Sequence, residues 1–140
     1  MQAHYPRIAF LLASAHTGAA RGLWPELIAA AQSHRCILFV LPGGRLNAIG
    51  GFEYMRNSVY RYAKASNIDS ALCWASTLSG YAAESAVESF LIDTVDVPMV
   101  TFGLKIDGQP FVGIDAYSGM KALVKHFSLH ISPIFLFSPI

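Results

Sequence analysis

Charged residues are scarce in this chain. Asp, Glu, Lys and Arg make up 14% of its 140 residues, whereas 54% of the residues are hydrophobic, and a typical globular domain is about a quarter charged. The formal net charge is only +1, so the composition provides no basic surface of the kind that binds nucleic acid. We therefore expect one folded domain that hides part of its surface against a second domain or subunit.

Cysteine and long apolar runs are also rare. The two cysteines, Cys36 and Cys73, have no metal-binding or redox spacing, which favours buried, unreactive thiols. No run of the sequence approaches the roughly 18 apolar residues of a membrane span. The polar amino terminus lacks the regions of a signal peptide. These absences predict a cytoplasmic protein with no membrane partner.

The sequence lacks the motifs of several enzyme classes. Dinucleotide binding needs Gly-x-Gly-x-x-Gly after the first strand, and the loop there, residues 14–18, has a single glycine. The loop 76–80 resembles the Gly-x-Ser-x-Gly turn of hydrolases but lacks its first glycine. His126 and His130 share a helix face without a third zinc ligand. We predict no catalytic residue, metal or cofactor, and a small hydrolase or isomerase without a recognisable motif is the alternative.

A regular alternation of strands and helices is present. Short apolar runs predict strands, and apolar residues at helical spacing predict helices between them. Continuous apolar strands are typical of parallel sheets that helices cover on both faces. Right-handed crossovers then predict an α/β fold with a doubly wound, mostly parallel sheet. The predicted strands are 7–13, 36–41, 71–75, 99–102, 111–114 and the start of a sixth at 133–137, and the predicted helices are 19–33, 53–66, 82–94 and 118–130.

Proline and glycine mark where these elements start and stop. Pro25 lies within the first helical pattern, so we expect the regular helix to begin near Leu23 or Trp24, with the proline in its first turn. The Gly-rich connection 42–51 is long for a compact domain, which is typical of a functional or mobile loop.

The ends of the strands predict where a ligand would bind. In an open parallel sheet, the loops at the carboxyl ends of the strands form the binding crevice. His16 lies in the first of these loops, and it is either a surface histidine or a binding group. Ser76 lies in a later loop, where its hydroxyl can cap a helix or contact a ligand. Asp115 follows the fifth strand and can accept hydrogen bonds from ligand hydroxyls or cap the next helix.

Two segments together resemble a known family. Residues 98–103, Pro-Met-Val-Thr-Phe-Gly, precede residues 113–120, Gly-Ile-Asp-Ala-Tyr-Ser-Gly-Met. Their order and spacing resemble the lactose-repressor-like periplasmic-binding-protein type I sensor domains, with the greater likeness to the branch attached to diguanylate cyclases and histidine kinases. The likeness covers about residues 7–137 and includes the loop 76–80. Ala116 stands where the family usually has Asn, and residues 130–133 depart from the family's continuation into a second lobe.

The resemblance implies that residues 1–140 are the truncated amino-terminal lobe of a two-lobed sensor. In the family, a sugar- or nucleoside-like molecule binds between the lobes and shifts their closure. The expected protein is a homodimer that regulates signalling or transcription through an output domain such as a cyclase, a kinase or a DNA-binding domain, and it needs the second lobe to bind its ligand. A plain protein-interaction module is a further alternative. The residues that would line this lobe's half of the cleft are Ser14, His16, Thr17, Ser76, Thr77, Phe102 and Asp115.

Overall fold

The computed structural model describes residues 5–130, and its elements alternate as predicted. The strands are β1 (Arg7–Leu12), β2 (Ile37–Pro42), β3 (Ser70–Cys73), β4 (Met99–Phe102) and β5 (Phe111–Val112). The helices are α1 (Gly18–Ser33), α2 (Glu53–Arg56), α3 (Glu84–Thr94) and α4 (Ala116–His130). Two 3₁₀ helices, Asn57–Tyr62 and Ala75–Thr77, follow α2 and β3. The predicted sixth strand at 133–137 lies outside the described residues.

The five strands form one parallel sheet in the order β2-β1-β3-β4-β5. β1 is central, because Phe10 pairs with Val40 of β2 on one side and with Leu72 of β3 on the other. This order is one of the two common arrangements of doubly wound sheets. The predicted α/β class and parallel sheet are therefore confirmed, and the order is compatible with a doubly wound fold.

Helices cover both faces of the sheet around β1. Successive side chains of a strand point to opposite faces, and those of β1 enter two separate cores. Ala9 and Leu11 belong to the larger core, together with Leu91 of α3. Phe10 and Leu12 belong to the smaller core, on the side of α1. Each face of β1 is thus shielded from water, as the apolar sequence of this strand predicts.

The far edge of the sheet is more open than predicted. Phe111 and Val112 of β5 are 42% and 58% exposed, so β5 is not buried on both faces. The parallel strands β4 and β5 are joined by residues 103–110 without a helix, although such connections usually contain one. Ile106 fixes this connection, because its side chain is fully buried in the larger core. The short crossover therefore leaves the edge strand without a helical cover of its own.

Helix α4 is formed but is not packed against the sheet. Its apolar residues at positions 117, 120, 124 and 127 recur at the spacing of one helix face. All of its side chains over 116–129 are nevertheless exposed within the described part of the chain. α4 is therefore an amphipathic helix whose apolar stripe is left uncovered by residues 5–130.

Two predictions about helices are wrong. α1 begins at Gly18 and not near residue 23, because the Thr17 hydroxyl accepts a hydrogen bond from the Ala20 backbone N–H (3.3 Å) and caps the helix there. Pro25 consequently lies inside α1, on its exposed side. The predicted helix 53–66 is divided into α2 and the first 3₁₀ helix, Asn57–Tyr62, which contains the fully buried Tyr60.

The Tyr60 hydroxyl connects β1 to the loop that follows β2. It donates a hydrogen bond to the Leu12 carbonyl oxygen (2.9 Å) and accepts one from the Gly44 backbone N–H (3.1 Å). A Cβ atom on Gly43 would overlap the Tyr60 ring, so only glycine fits at this position. Burial raises the pKa of Tyr60 to about 12, and the hydroxyl therefore remains a hydrogen-bond donor at neutral pH.

Replacing Tyr60 with Phe should destabilise the fold. The variant leaves the buried Gly44 N–H without this acceptor, and an unsatisfied buried polar group costs about 1–3 kcal/mol. Urea denaturation should show this loss in the free energy of unfolding. The matched control is Tyr62→Phe, because Tyr62 is 63% exposed and should tolerate the change. Equal stabilities of the two variants would contradict this role of the Tyr60 hydroxyl.

Candidate functional site

The carboxyl ends of the five strands lie at one edge of the sheet, because all the strands are parallel. In this strand order, the point where the chain reverses direction across the sheet lies between β1 and β3, and ligands of such folds bind there. We call residues 13–17, 43–52, 74–83 and 102–103 the carboxyl rim. Six of the seven residues predicted to bind a ligand lie in these segments, and Asp115 lies in the segment that follows β5 at the same edge of the sheet.

The loop after β1 is held by its own hydrogen bonds. The Ser14 hydroxyl accepts a hydrogen bond from the His16 backbone N–H (3.3 Å), and the Thr17 hydroxyl caps α1. Trp24 of α1 donates its indole N–H to the Ala15 carbonyl oxygen (3.2 Å). The His16 side chain is exposed. The loop therefore presents His16 on a backbone that α1 fixes in place.

Thr77 joins the loop after β1 to the segment after β3. Its hydroxyl accepts a hydrogen bond from the Ala13 backbone N–H (3.0 Å) and donates one to the Trp74 carbonyl oxygen (2.7 Å). A hydroxyl has a single proton to donate, so Thr77 has already used its proton within the protein. Its contacts give Thr77 a structural role at the centre of the rim.

Ser76 lies against the end of β4. Gly103 adopts a left-handed backbone conformation with φ +78°, and a Cβ atom built on it would overlap the Ser76 hydroxyl oxygen. The same Cβ position is 3.4 Å from the indole nitrogen of Trp74. The exposed Ser76 hydroxyl and the Trp74 indole N–H therefore both lie beside the Gly103 backbone.

Aromatic rings extend from the core to this part of the rim. Trp74 stacks on Phe102 with ring centroids 4.7 Å apart, and Phe10 stacks on the other side of Trp74 at 6.4 Å. Trp74 and Phe102 are both only partly buried. Phe102 was predicted from its place at the end of β4, whereas Trp74 was not, although it directly follows the apolar run of β3.

Asp115 lies at the start of α4. Its Oδ1 accepts a hydrogen bond from the Ser118 backbone N–H (3.0 Å), and this bond holds the pKa of the carboxyl below its ordinary value. Two roles were predicted for Asp115, ligand binding and helix capping. The structure shows the contact for helix capping.

The rim also contains a charged cluster that the sequence did not predict. The guanidinium carbon of Arg45 lies 4.7 Å from the centroid of the Tyr81 ring, within the range of a cation–π contact. The Arg45 backbone N–H donates to Glu53 Oε1 (2.8 Å), and its Nη2 lies 3.3 Å from Oε2. The available signal was the Gly-rich connection 42–51, which was predicted to be functional or mobile without reference to Arg45.

Glu53 should make the stability of the protein depend on acidic pH. Hydrogen bonds from the backbone and then the side chain of Arg45 hold the pKa of Glu53 below its ordinary value of 4.5. A lowered carboxyl pKa contributes stability above the unfolded-state pKa, and this contribution is lost as the pH falls through the folded-state pKa. Below pH 4.5, the free energy of unfolding should therefore fall less steeply for Glu53→Gln than for the wild type.

Urea denaturation at a series of pH values measures this difference. Glu84→Gln is the matched control, because Glu84 is an exposed residue in the first turn of α3. If wild type, Glu53→Gln and Glu84→Gln lose stability with the same slope in acid, the ion pair with Arg45 has no such effect.

Comparisons of the chain with protein-family models, curated proteins and solved structures found no match. Within residues 5–130, no group of three or more His, Cys, Asp or Glu side chains is placed to hold a metal ion. In the same part of the chain, none of the helices has the length and apolar character needed to span a membrane. The resemblance to sensor domains therefore depends on the sequence motifs.

Proposed function

We propose that this chain is a small-molecule-sensing lobe with the periplasmic-binding-protein-like I fold. It binds a sugar- or nucleoside-like ligand and acts by lobe closure in a bacterial signalling or transcription-regulating protein. The observation that carries the proposal is the open apolar stripe of α4. The strand order and the position of the rim are compatible with the same fold.

Helix α4 supports a second lobe because an amphipathic helix gains most of its stability from packing its apolar face. Tyr117, Met120 and Phe127 lie on that face, and each is exposed in the described part of the chain. In the proposed protein, the second lobe covers this stripe. Residues 113–115 separate β5 from α4, and a short segment of this kind can serve as a hinge between two lobes.

The carboxyl rim supports a ligand site on the first lobe. His16 and Ser76 are exposed there on backbone that hydrogen bonds and close packing fix in position. A ligand that contacts both the rim and the second lobe favours the closed arrangement by its difference in affinity between the two states. This shift in population is the signal that an output domain, such as a cyclase, a kinase or a DNA-binding domain, receives.

Ligands of this class should bind only weakly at the rim of the 140-residue chain, because the second lobe supplies the other half of the cleft. In two-dimensional ¹H–¹⁵N NMR spectra, sugars or nucleosides at millimolar concentration should shift the amide signals of the loop after β1 and of residues 76–77. His16→Ala should weaken the affinity by about two- to tenfold, which corresponds to the loss of one hydrogen bond.

His34→Ala is the matched control for this experiment. His34 is an exposed histidine that follows the other end of α1, so the variant should bind like the wild type. Shifts confined to α3, or equal effects of the two variants, would contradict a ligand site at the rim.

The proposal includes a homodimer formed through helix faces that are left apolar. A groove of about 440 Å³ lies between α2, the first 3₁₀ helix and α3, and its lining includes Tyr54, Met55 and Phe90. Tyr54 and Met55 are each more than half exposed. An exposed apolar surface of this kind is typical of a protein–protein contact.

Charge introduced into this groove should dissociate the dimer. Analytical ultracentrifugation should show a dimer for the wild type and a monomer for Met55→Lys, because the lysine would be buried without a partner. Met120→Lys on α4 is the matched control, since the two methionines are 59% and 61% exposed. A dimer that is lost in Met120→Lys and kept in Met55→Lys would place the contact on α4 instead.

A further inference from the structure

We infer that the ligand of the carboxyl rim contains a planar heteroaromatic ring, such as a nucleobase, that stacks on Phe102. The ring would extend a row of aromatic side chains that crosses the sheet. This inference rests on the proposed ligand-sensing function and narrows the class of ligand.

Three aromatic rings form a row on one face of the sheet, from β1 to β4. The planes of Phe10 and Trp74 are inclined by 17°, and those of Trp74 and Phe102 by 29°. Each ring therefore presents a flat face to the next, in the stacked arrangement that aromatic pairs favour. Trp24 of α1 closes the row at the β1 end, because it meets Phe10 edge-on at an angle of 81°.

No side chain of residues 5–130 stacks on the other end of the row. Phe102 pairs with Val112 of β5, so an aliphatic side chain takes the next position on the same face. Val112 is more than half exposed, and Phe102 is only partly buried. Gly103 adds no side chain beyond Phe102, and its conformation leaves no room for one. A flat ring placed above Val112 would meet Phe102 as Phe102 meets Trp74.

The polar groups beside the row suit such a ring better than a sugar. The Thr77 hydroxyl has donated its proton to the Trp74 carbonyl, and the Thr17 hydroxyl caps α1. The exposed Ser76 hydroxyl lies beside Gly103, next to the indole of Trp74. A sugar would bring many hydroxyls that need partners when buried. A nucleobase needs only stacking and one or two hydrogen bonds at its edge.

The tryptophan indole signals provide a direct test. The chain has two tryptophans, so two indole N–H signals are expected, and Trp24→Phe assigns them. The labelled chain is titrated separately with adenosine, guanosine, ribose and galactose. We expect a nucleoside to shift the Trp74 indole signal and to leave the Trp24 signal unchanged. Phe102→Leu should weaken nucleoside binding by about tenfold, the scale of one base–aromatic stack.

Phe39→Leu is the matched control, because Phe39 of β2 pairs with Ala9 and therefore lies on the other face of the sheet from the aromatic row. This variant should keep the wild-type affinity. If Phe102→Leu does not fold, intermolecular nuclear Overhauser effects between the base and the Phe102 ring of the wild type test the stacking directly.

Each remaining outcome overturns the ring inference, and the last one also overturns the sensor proposal. If a sugar binds Phe102→Leu with the wild-type affinity and does not shift the indole signals, the ring inference is wrong and the sensor proposal stands. Nucleoside binding with unchanged affinity in Phe102→Leu would also overturn the inference alone. A Trp74 signal that moves with protein concentration and not with nucleoside would show that a second copy covers this face. Binding of none of the four compounds would overturn both the inference and the ligand-sensing proposal.

Discussion

The hydrogen bonds of the Tyr60 hydroxyl hold the centre of the fold together at the point where it meets the rim. They link the last residue of β1 to Gly44, which immediately precedes Arg45 of the charged cluster. A buried hydroxyl is favourable only when its partners are present, so the path of the loop after β2 and the position of Tyr60 depend on each other. The requirement for glycine at position 43 follows from the same contact.

The sequence predicts the elements of this fold best where local pattern and tertiary packing agree. β4 has the predicted bounds, because its apolar run is limited by Pro98 and Gly103 and both of its sides are largely covered. The predicted start of α1 is wrong because the Thr17 cap outweighs the local cost of Pro25 inside the helix. The apolar stripe of α4 could be predicted from the spacing of its residues, whereas its exposure within residues 5–130 depends on the packing of the whole fold.

Part of the candidate site could likewise be predicted from the sequence, and part could not. Parallel strands place the loops after β1 and β3 at one edge, so the location of the rim was predictable from the order of the elements. The contacts of Thr77 and of the Trp74 ring depend on residues far away in the sequence, such as Ala13 and Phe102. Such contacts cannot be predicted from the spacing of residues along the sequence. Arg45 was missed for the same reason, since Tyr81 reaches it from a different loop.

The helix-free crossover between β4 and β5 has a consequence for the way the molecule opens. β5 contributes only Phe111 and Val112 to the sheet, and neither β5 nor α4 is buried by the described residues. Segments with few buried contacts unfold locally, with free energies well below that of global unfolding. We therefore expect backbone amides of β1 to exchange with solvent only when the whole sheet unfolds, and those of β5 and α4 to exchange by a separate, smaller opening that leaves both cores intact.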